Sequence, residues 1–124
     1  MNVKVVDASI LAAVIFCEPS AEEAAMTMQG CKLLAPYLLP YEIANVSLKK
    51  MSRQGMPYEH ALQSMLKFDE FEVKLMEVDP VGVLEAAHMF RLSAYDASYL
   101  WLARNFDCEL VTLDARLKLA SQAR

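Results

Sequence analysis

Short β-branched runs alternate along the chain with longer stretches whose apolar positions repeat about every 3.6 residues, the mark of an α/β chain. Val3 to Val6 reads as a strand ending in Asp7, and Ser9 to Phe16 continues apolar as a short helix. Ser20, with Glu23 three residues later, has the form of a capping box for a helix through Met28, and Gly30 stands where a C-terminal cap belongs. Cys31 to Ala35 reads as a second strand, stopped by Pro36. Pro40 then opens a helix that carries Glu42 in its first turn, followed by Asn45, Lys49 and Arg53 before Gly55. Pro57 starts an amphipathic helix with Ala61, Leu62, Met65, Leu66 and Phe68 on its apolar side, and Glu72 to Val78 alternates as a third strand. Pro80 starts a helix reaching Leu92, Ser93 to Tyr95 interrupts the period, and a further helix runs from Asp96 to Phe106. Glu109 to Leu113 is a fourth strand ending in Asp114, before a short helix holding Leu117 and Ala120.

Strands separated by helices pair in parallel through right-handed crossovers, so both faces of the sheet are covered. The expected fold is a three-layer α/β/α sandwich around a central, mostly parallel sheet of four to five strands, one domain spanning residues 1–124. In such sheets ligands gather outside the carboxyl ends of the strands, where Asp7 and Asp114 fall.

Composition sharpens this picture by exclusion. An apolar fraction of 56% excludes a disordered chain. The longest strongly apolar run without a charge, Ala8 to Cys17, is about half of the roughly 20 residues a membrane-crossing helix needs. Asp7 also interrupts the apolar start, which fits a secretory signal poorly, so a cytoplasmic protein is expected. Cys17, Cys31 and Cys108 are widely spaced, lack a C-x-x-C pair and read as small core hydrophobes, while His60 and His88 lack metal-ligand spacing. The three glycines form neither a P-loop nor a dinucleotide fingerprint, and no G-x-S-x-G elbow accompanies Ser9.

Four acids carry the candidate chemistry. A carboxylate at a helix start is favourable by itself, since it faces the positive end of the macrodipole. Asp7 and Asp114 at strand ends, with Glu42 and Asp96 at helix starts, nevertheless share one edge of the expected sheet. Carboxylates packed together raise one another's pKa values, and a hard divalent cation relieves the repulsion. Mg²⁺ or Mn²⁺ suits such oxygen donors and binds phosphates, which makes a phosphodiester or phosphate ester the natural substrate. The net charge of −4 is no obstacle to nucleic acid, because setting these four aside leaves twelve acidic residues against twelve Lys and Arg. Lys49, Lys50 and Arg53 form one candidate nucleic-acid-contacting patch, and Arg116 with Lys118 another.

In this order and spacing, the fragments Val5-Val6-Asp7-Ala8-Ser9, Glu18-Pro19, Tyr41-Glu42-Ile43-Ala44-Asn45, Tyr95-Asp96-Ala97-Ser98-Tyr99-Leu100 and Leu110-Val111-Thr112-Leu113-Asp114-Ala115-Arg116-Leu117 span nearly the whole chain. They resemble the PIN-domain nucleases, and among them the small VapC-type ribonuclease toxins of toxin–antitoxin pairs. The resemblance implies metal-dependent RNA hydrolysis, with Mg²⁺ or Mn²⁺ held at Asp7, Glu42, Asp96 and Asp114. It also implies that Ser9 and Thr112 support the site by hydrogen bonding and that Asn45 orients the helix carrying Glu42. Some relatives carry a further acid after the last one, where this chain has Ala115 and Arg116, which leaves one or two metal ions open. The resemblance adds an antitoxin whose segment lies in a hydrophobic groove of the toxin, and a toxin homodimer. A catalytically silent PIN-fold module or a receiver-like metal-binding domain is the competing reading; the latter needs an acceptor Asp on a middle strand, whereas Glu42 and Asp96 read as helical.

Overall fold

The computed structural model describes residues 2–123, and the termini of the expected 1–124 domain, Met1 and Arg124, lie outside the described residues. Four strands, β1 (Asn2–Val6), β2 (Cys31–Pro36), β3 (Lys74–Met76) and β4 (Glu109–Val111), form one sheet in the order β3-β2-β1-β4. Every pairing is parallel, with Val5 opposite Leu34 on one side and opposite Leu110 on the other. Among the described residues six α-helices connect them, α1 (Ala8–Ile15), α2 (Ala21–Met28), α3 (Leu39–Gln54), α4 (Tyr58–Leu66), α5 (Pro80–Phe90) and α6 (Ala94–Asn105), and a seventh, α7 (Ala115–Gln122), follows β4.

The chain steps outward from β1 to β3 and then returns past β1 to place β4 on its far side. With right-handed crossovers, α1 to α4 cover one face and α5 to α7 the other, and α6 lies across β1, β2 and β4. The three-layer architecture is as the apolar periodicity predicts. Between the layers Val5, Val6, Ile10, Leu11, Leu39, Ile43, Leu100, Leu102 and Leu117 are wholly or almost wholly buried. Each large aliphatic side chain removed from water contributes about 1.5–3 kcal/mol.

Several boundaries differ from expectation for local reasons. Ser20 makes no side-chain cap because its backbone is turn-like (φ −87°, ψ 7°) rather than extended, as a cap residue requires. Phe68 belongs to a 3₁₀ turn over Lys67–Phe71 rather than to α4, and Glu72 takes a left-handed backbone, so β3 is shorter than the alternation of Glu72 to Val78 suggests. The strand at Glu109 ends at Val111 because Thr112 turns its hydroxyl back toward Asp7. The break before α6 is shorter than Ser93 to Tyr95, since Ser93 is itself the cap: its hydroxyl accepts the Asp96 N–H at 3.1 Å. Cys17 is exposed and takes a left-handed backbone just past α1, against its expected place in the core, while Cys31 and Cys108 are half-buried. Gly30 adopts the left-handed conformation (φ +72°) expected of a residue closing a helix.

The pairing of α5 with α6 depends on Gly82. A Cβ there would lie 2.2 Å from Trp101 Nε1, so only glycine lets the indole of α6 lie against α5. That contact supports the helix whose first turn carries Asp96.

Candidate active site

The order β3-β2-β1-β4 reverses direction between β1 and β4, and the crevice beyond this switch point is where α/β sheets bind ligands. Asp7 follows β1 directly and is the N-cap of α1. Its Oδ1 accepts from Ser9 N (3.1 Å), Ser9 Oγ (2.6 Å) and Ile10 N (3.3 Å), and its Oδ2 accepts from Thr112 Oγ1 (2.5 Å). Oδ1 is thus saturated, while Oδ2 has one donor and a free lone-pair direction. Asp7 is 6% exposed, and this burial pushes its carboxyl above the ordinary range, although the Ser9 and Thr112 hydroxyls pull it back.

The same hydroxyls organise the β4 end. Ser9 Oγ accepts the Leu113 N–H at 2.9 Å, and Thr112 Oγ1 accepts the Asp114 N–H at 3.0 Å. Asp114 in turn caps α7, accepting from Leu117 N at 2.9 Å. Two hydroxyls 3.4 Å apart therefore bolt the first strand end to the last.

Glu42 and Asp96 enter from α3 and α6. Glu42 is half-buried and accepts a hydrogen bond from Tyr99 at 2.5 Å. Burial raises its pKa, the Tyr99 bond opposes the rise, and the charges of Asp96 and Asp7 add to it. Burial also raises Asp96, followed by the charge of Asp114, with Ser93 and Arg116 opposing. The charges of Asp96 and Asp7 thus act on Glu42 and that of Asp114 on Asp96, which links the four acids along one edge.

They do not form a closed cluster. Among the described residues no three His, Cys, Asp or Glu side chains lie close enough to hold a metal ion as they stand. Asp7 and Glu42 engage oxygens with protein hydroxyls, and like charges disfavour closer approach of the four without a cation. The donor set still fits a hard cation. It consists of four carboxylates, of which Asp7, Glu42 and Asp96 are raised by burial and the latter two also by neighbouring acids, and among the described residues none of the four is in an ion pair with a lysine or arginine.

The remaining candidates are spread around this edge. Asn45 is exposed and lines a groove of about 330 Å³ with Tyr41, Glu42, Leu48 and Tyr95. Lys49, Arg53, Arg116 and Lys118 are exposed. Lys50 is already engaged, 3.9 Å from Glu18 and over the ring of Phe16 at 5.1 Å. Tyr99 received no role from the sequence. Its signal is its place three residues beyond Asp96 on the same helical face, together with the need of a buried phenol for a partner.

The PIN domain family model matches residues 4–122. The chain belongs to the PIN domain family. Within it the resemblance is to VapC ribonucleases. This PIN domain is 32% identical over 122 residues to ribonuclease VapC9 of Mycobacterium tuberculosis, covering 97% of this chain and 92% of that protein. It is 35% identical over 119 residues to ribonuclease VapC3 of Pyrobaculum aerophilum, covering 91% and 90%. The crystal structure of PAE2754 from Pyrobaculum aerophilum superposes with a TM-score of 0.74 at 28% identity, covering 98% of this PIN domain and 87% of that chain. The expected family and fold are both met.

Proposed function

We propose that this PIN domain is a metal-dependent endoribonuclease that hydrolyses RNA phosphodiester bonds and acts, as a single domain, as the toxin of a type II toxin–antitoxin pair. The observation that carries this reading is the arrival of Asp7, Glu42, Asp96 and Asp114 from four separate segments at the switch-point edge, without a basic residue in ion pair with any of them among the described residues. The kinship with proteins named VapC ribonucleases supports the choice of RNA.

In this reading Asp7, through Oδ2, together with Asp96 and Asp114 holds Mg²⁺ or Mn²⁺, and Glu42 contributes through a water or orients the attacking one. Such an ion, when bound, lowers the pKa of water and offsets charge gathering on the phosphate. Ser9 and Thr112 keep Asp7 aimed and ionised by donating to it. Lys49, Arg53, Arg116 and Lys118 are the exposed cations available to phosphates, and Lys50 joins them only by leaving Glu18. Asn45 supports the helix that carries Glu42.

The antitoxin reading is supported by an apolar stripe on α4, where Tyr58, Leu62 and Leu66, four residues apart, are 60%, 45% and 65% exposed. We place the pair in the cytoplasm and the toxin in a homodimer; no helix among the described residues is long and apolar enough to cross a membrane.

The test is incubation of purified protein, free of any partner, with single-stranded and structured RNAs in Mg²⁺, Mn²⁺ or EDTA, alongside Asp7→Asn and Asp96→Asn. Cutting that requires metal and is lost in both variants is expected. Fragments with 5′-phosphate and 3′-hydroxyl ends are expected from attack by water, whereas a cyclic phosphate would point to the ribose 2′-hydroxyl. A folded protein that binds Mn²⁺ and cuts no RNA would favour the silent-module reading instead.

A further inference from the structure

Helix α6 serves the acidic edge twice. Its first turn carries Asp96, and one turn on it sends Tyr99 into the core, where the side chain is wholly buried. A buried phenol must give its proton to some acceptor, and a backbone carbonyl would satisfy it equally well. Here the acceptor is Glu42 Oε1, on a different helix and 57 residues away in sequence. Among the described residues no donor reaches the other oxygen, Oε2.

The geometry points to Tyr99 as the positioning residue of Glu42: its hydroxyl fixes Oε1 and leaves Oε2, which has no donor, as the freer of the two oxygens that Glu42 offers to metal or water. This rests on the metal-dependent ribonuclease reading above. Without the phenol, Glu42 is free to turn about its side-chain bonds toward the open groove that it lines with Tyr41 and Tyr95. With it, the carboxylate is held to α6, the same helix that supplies Asp96, so the two acids keep one spacing. Tyr99 itself is shut away from RNA by its burial and acts only through Glu42.

Tyr99→Phe keeps the ring and removes the hydroxyl. We expect its kcat for RNA cleavage to fall about 10- to 100-fold and its Mn²⁺ affinity, measured by calorimetry on the isolated protein, to weaken by a factor in the same range. The KM for RNA stays within about twofold of the wild type. Combining Tyr99→Phe with Glu42→Gln should cost no more activity than Glu42→Gln alone, since the phenol has no other route to the site. A lowered Tm with unchanged kcat and Mn²⁺ affinity would mean that Tyr99 is only a core residue, and overturns the proposal. Wild-type protein that neither cuts RNA nor binds Mn²⁺ would overturn the ribonuclease reading itself. In that event the Tm shifts of the two single variants and the double variant decide: additive shifts overturn the Tyr99–Glu42 link, and non-additive shifts support it.

Discussion

Asp7 and Asp114 each follow a strand, each cap a helix and each share the Ser9–Thr112 hydroxyl pair, yet one is 6% exposed and the other lies on the surface. The local pattern is almost the same; the place in the sheet is not. β1 has a neighbour on either side and helices on both faces, whereas β4 is an edge strand paired only with β1. Asp7 also follows Val6 directly, while Thr112 and Leu113 carry the chain away from the sheet before Asp114. Capping is thus a local property, and burial, which sets how strongly a carboxylate resists ionising, is a property of topology.

The comparison is broken most forcefully at Asp7. Asp7→Asn is expected to lower RNA cleavage at least about 100-fold, the upper end of what removing even an outer partner of a metal ligand costs, and Asp114→Asn about 10-fold. Equal losses in a cleavage assay would mean that exposure does not grade the two acids. Next comes the hydroxyl that joins them. Thr112→Val leaves both Asp7 Oδ2 and the Asp114 N–H without their partner, and a loss of about 1–3 kcal/mol by urea denaturation is expected. Ser9→Ala should cost less, about 1 kcal/mol, because Asp7 Oδ1 keeps two backbone donors and the Leu113 N–H that also loses its acceptor is exposed to water.

Without metal the two acids should part in stability as well as activity. Asp114→Ala removes a helix cap and is expected to lose about 1 kcal/mol, whereas Asp7→Asn at pH 8 is expected to be at least as stable as the wild type, since it removes a buried charge. The smallest effect is on pH dependence. The folded-state pKa values of Asp7, Glu42 and Asp96 are raised, so the folded protein binds more protons than the unfolded chain. Their contribution to metal-free stability is therefore full below the ordinary carboxylate values of about 3.9–4.3 and is lost as pH climbs through the raised ones. Asp7→Asn should flatten that decline, and Mg²⁺ should offset it by binding the folded form. Thermal melts across pH with EDTA or Mg²⁺ read both.

Legibility in the sequence follows the range of the interactions. Strands flanked by helical periods declared the α/β layers, and the four acids could be placed on one edge from strand ends and helix starts alone. Boundaries set by a few backbone torsions were harder: Glu72 and Cys17 adopt left-handed backbones that neither residue type announces. The sequence motif also supported Ser9 and Thr112 as partners of the site, but not the sharing of their lone pairs between β1 and β4, which needs two segments over a hundred residues apart to meet. Tyr99 stands three residues beyond Asp96, yet its role is not legible there because its acceptor is on another helix.

The separation of 105 positions from Asp7 to Thr112 also has a meaning in time. In a chain made from its amino terminus Asp7 precedes Thr112, Asp114 and the strand that brings them alongside β1 by about a hundred residues. Until β4 docks, the first acid has neither its side-chain partner from Thr112 nor the fourth carboxylate beside it. If the acidic edge is the nuclease site, it is thereby incomplete until the segment carrying β4 has been made and docked, so that activity waits on the closing of the sheet.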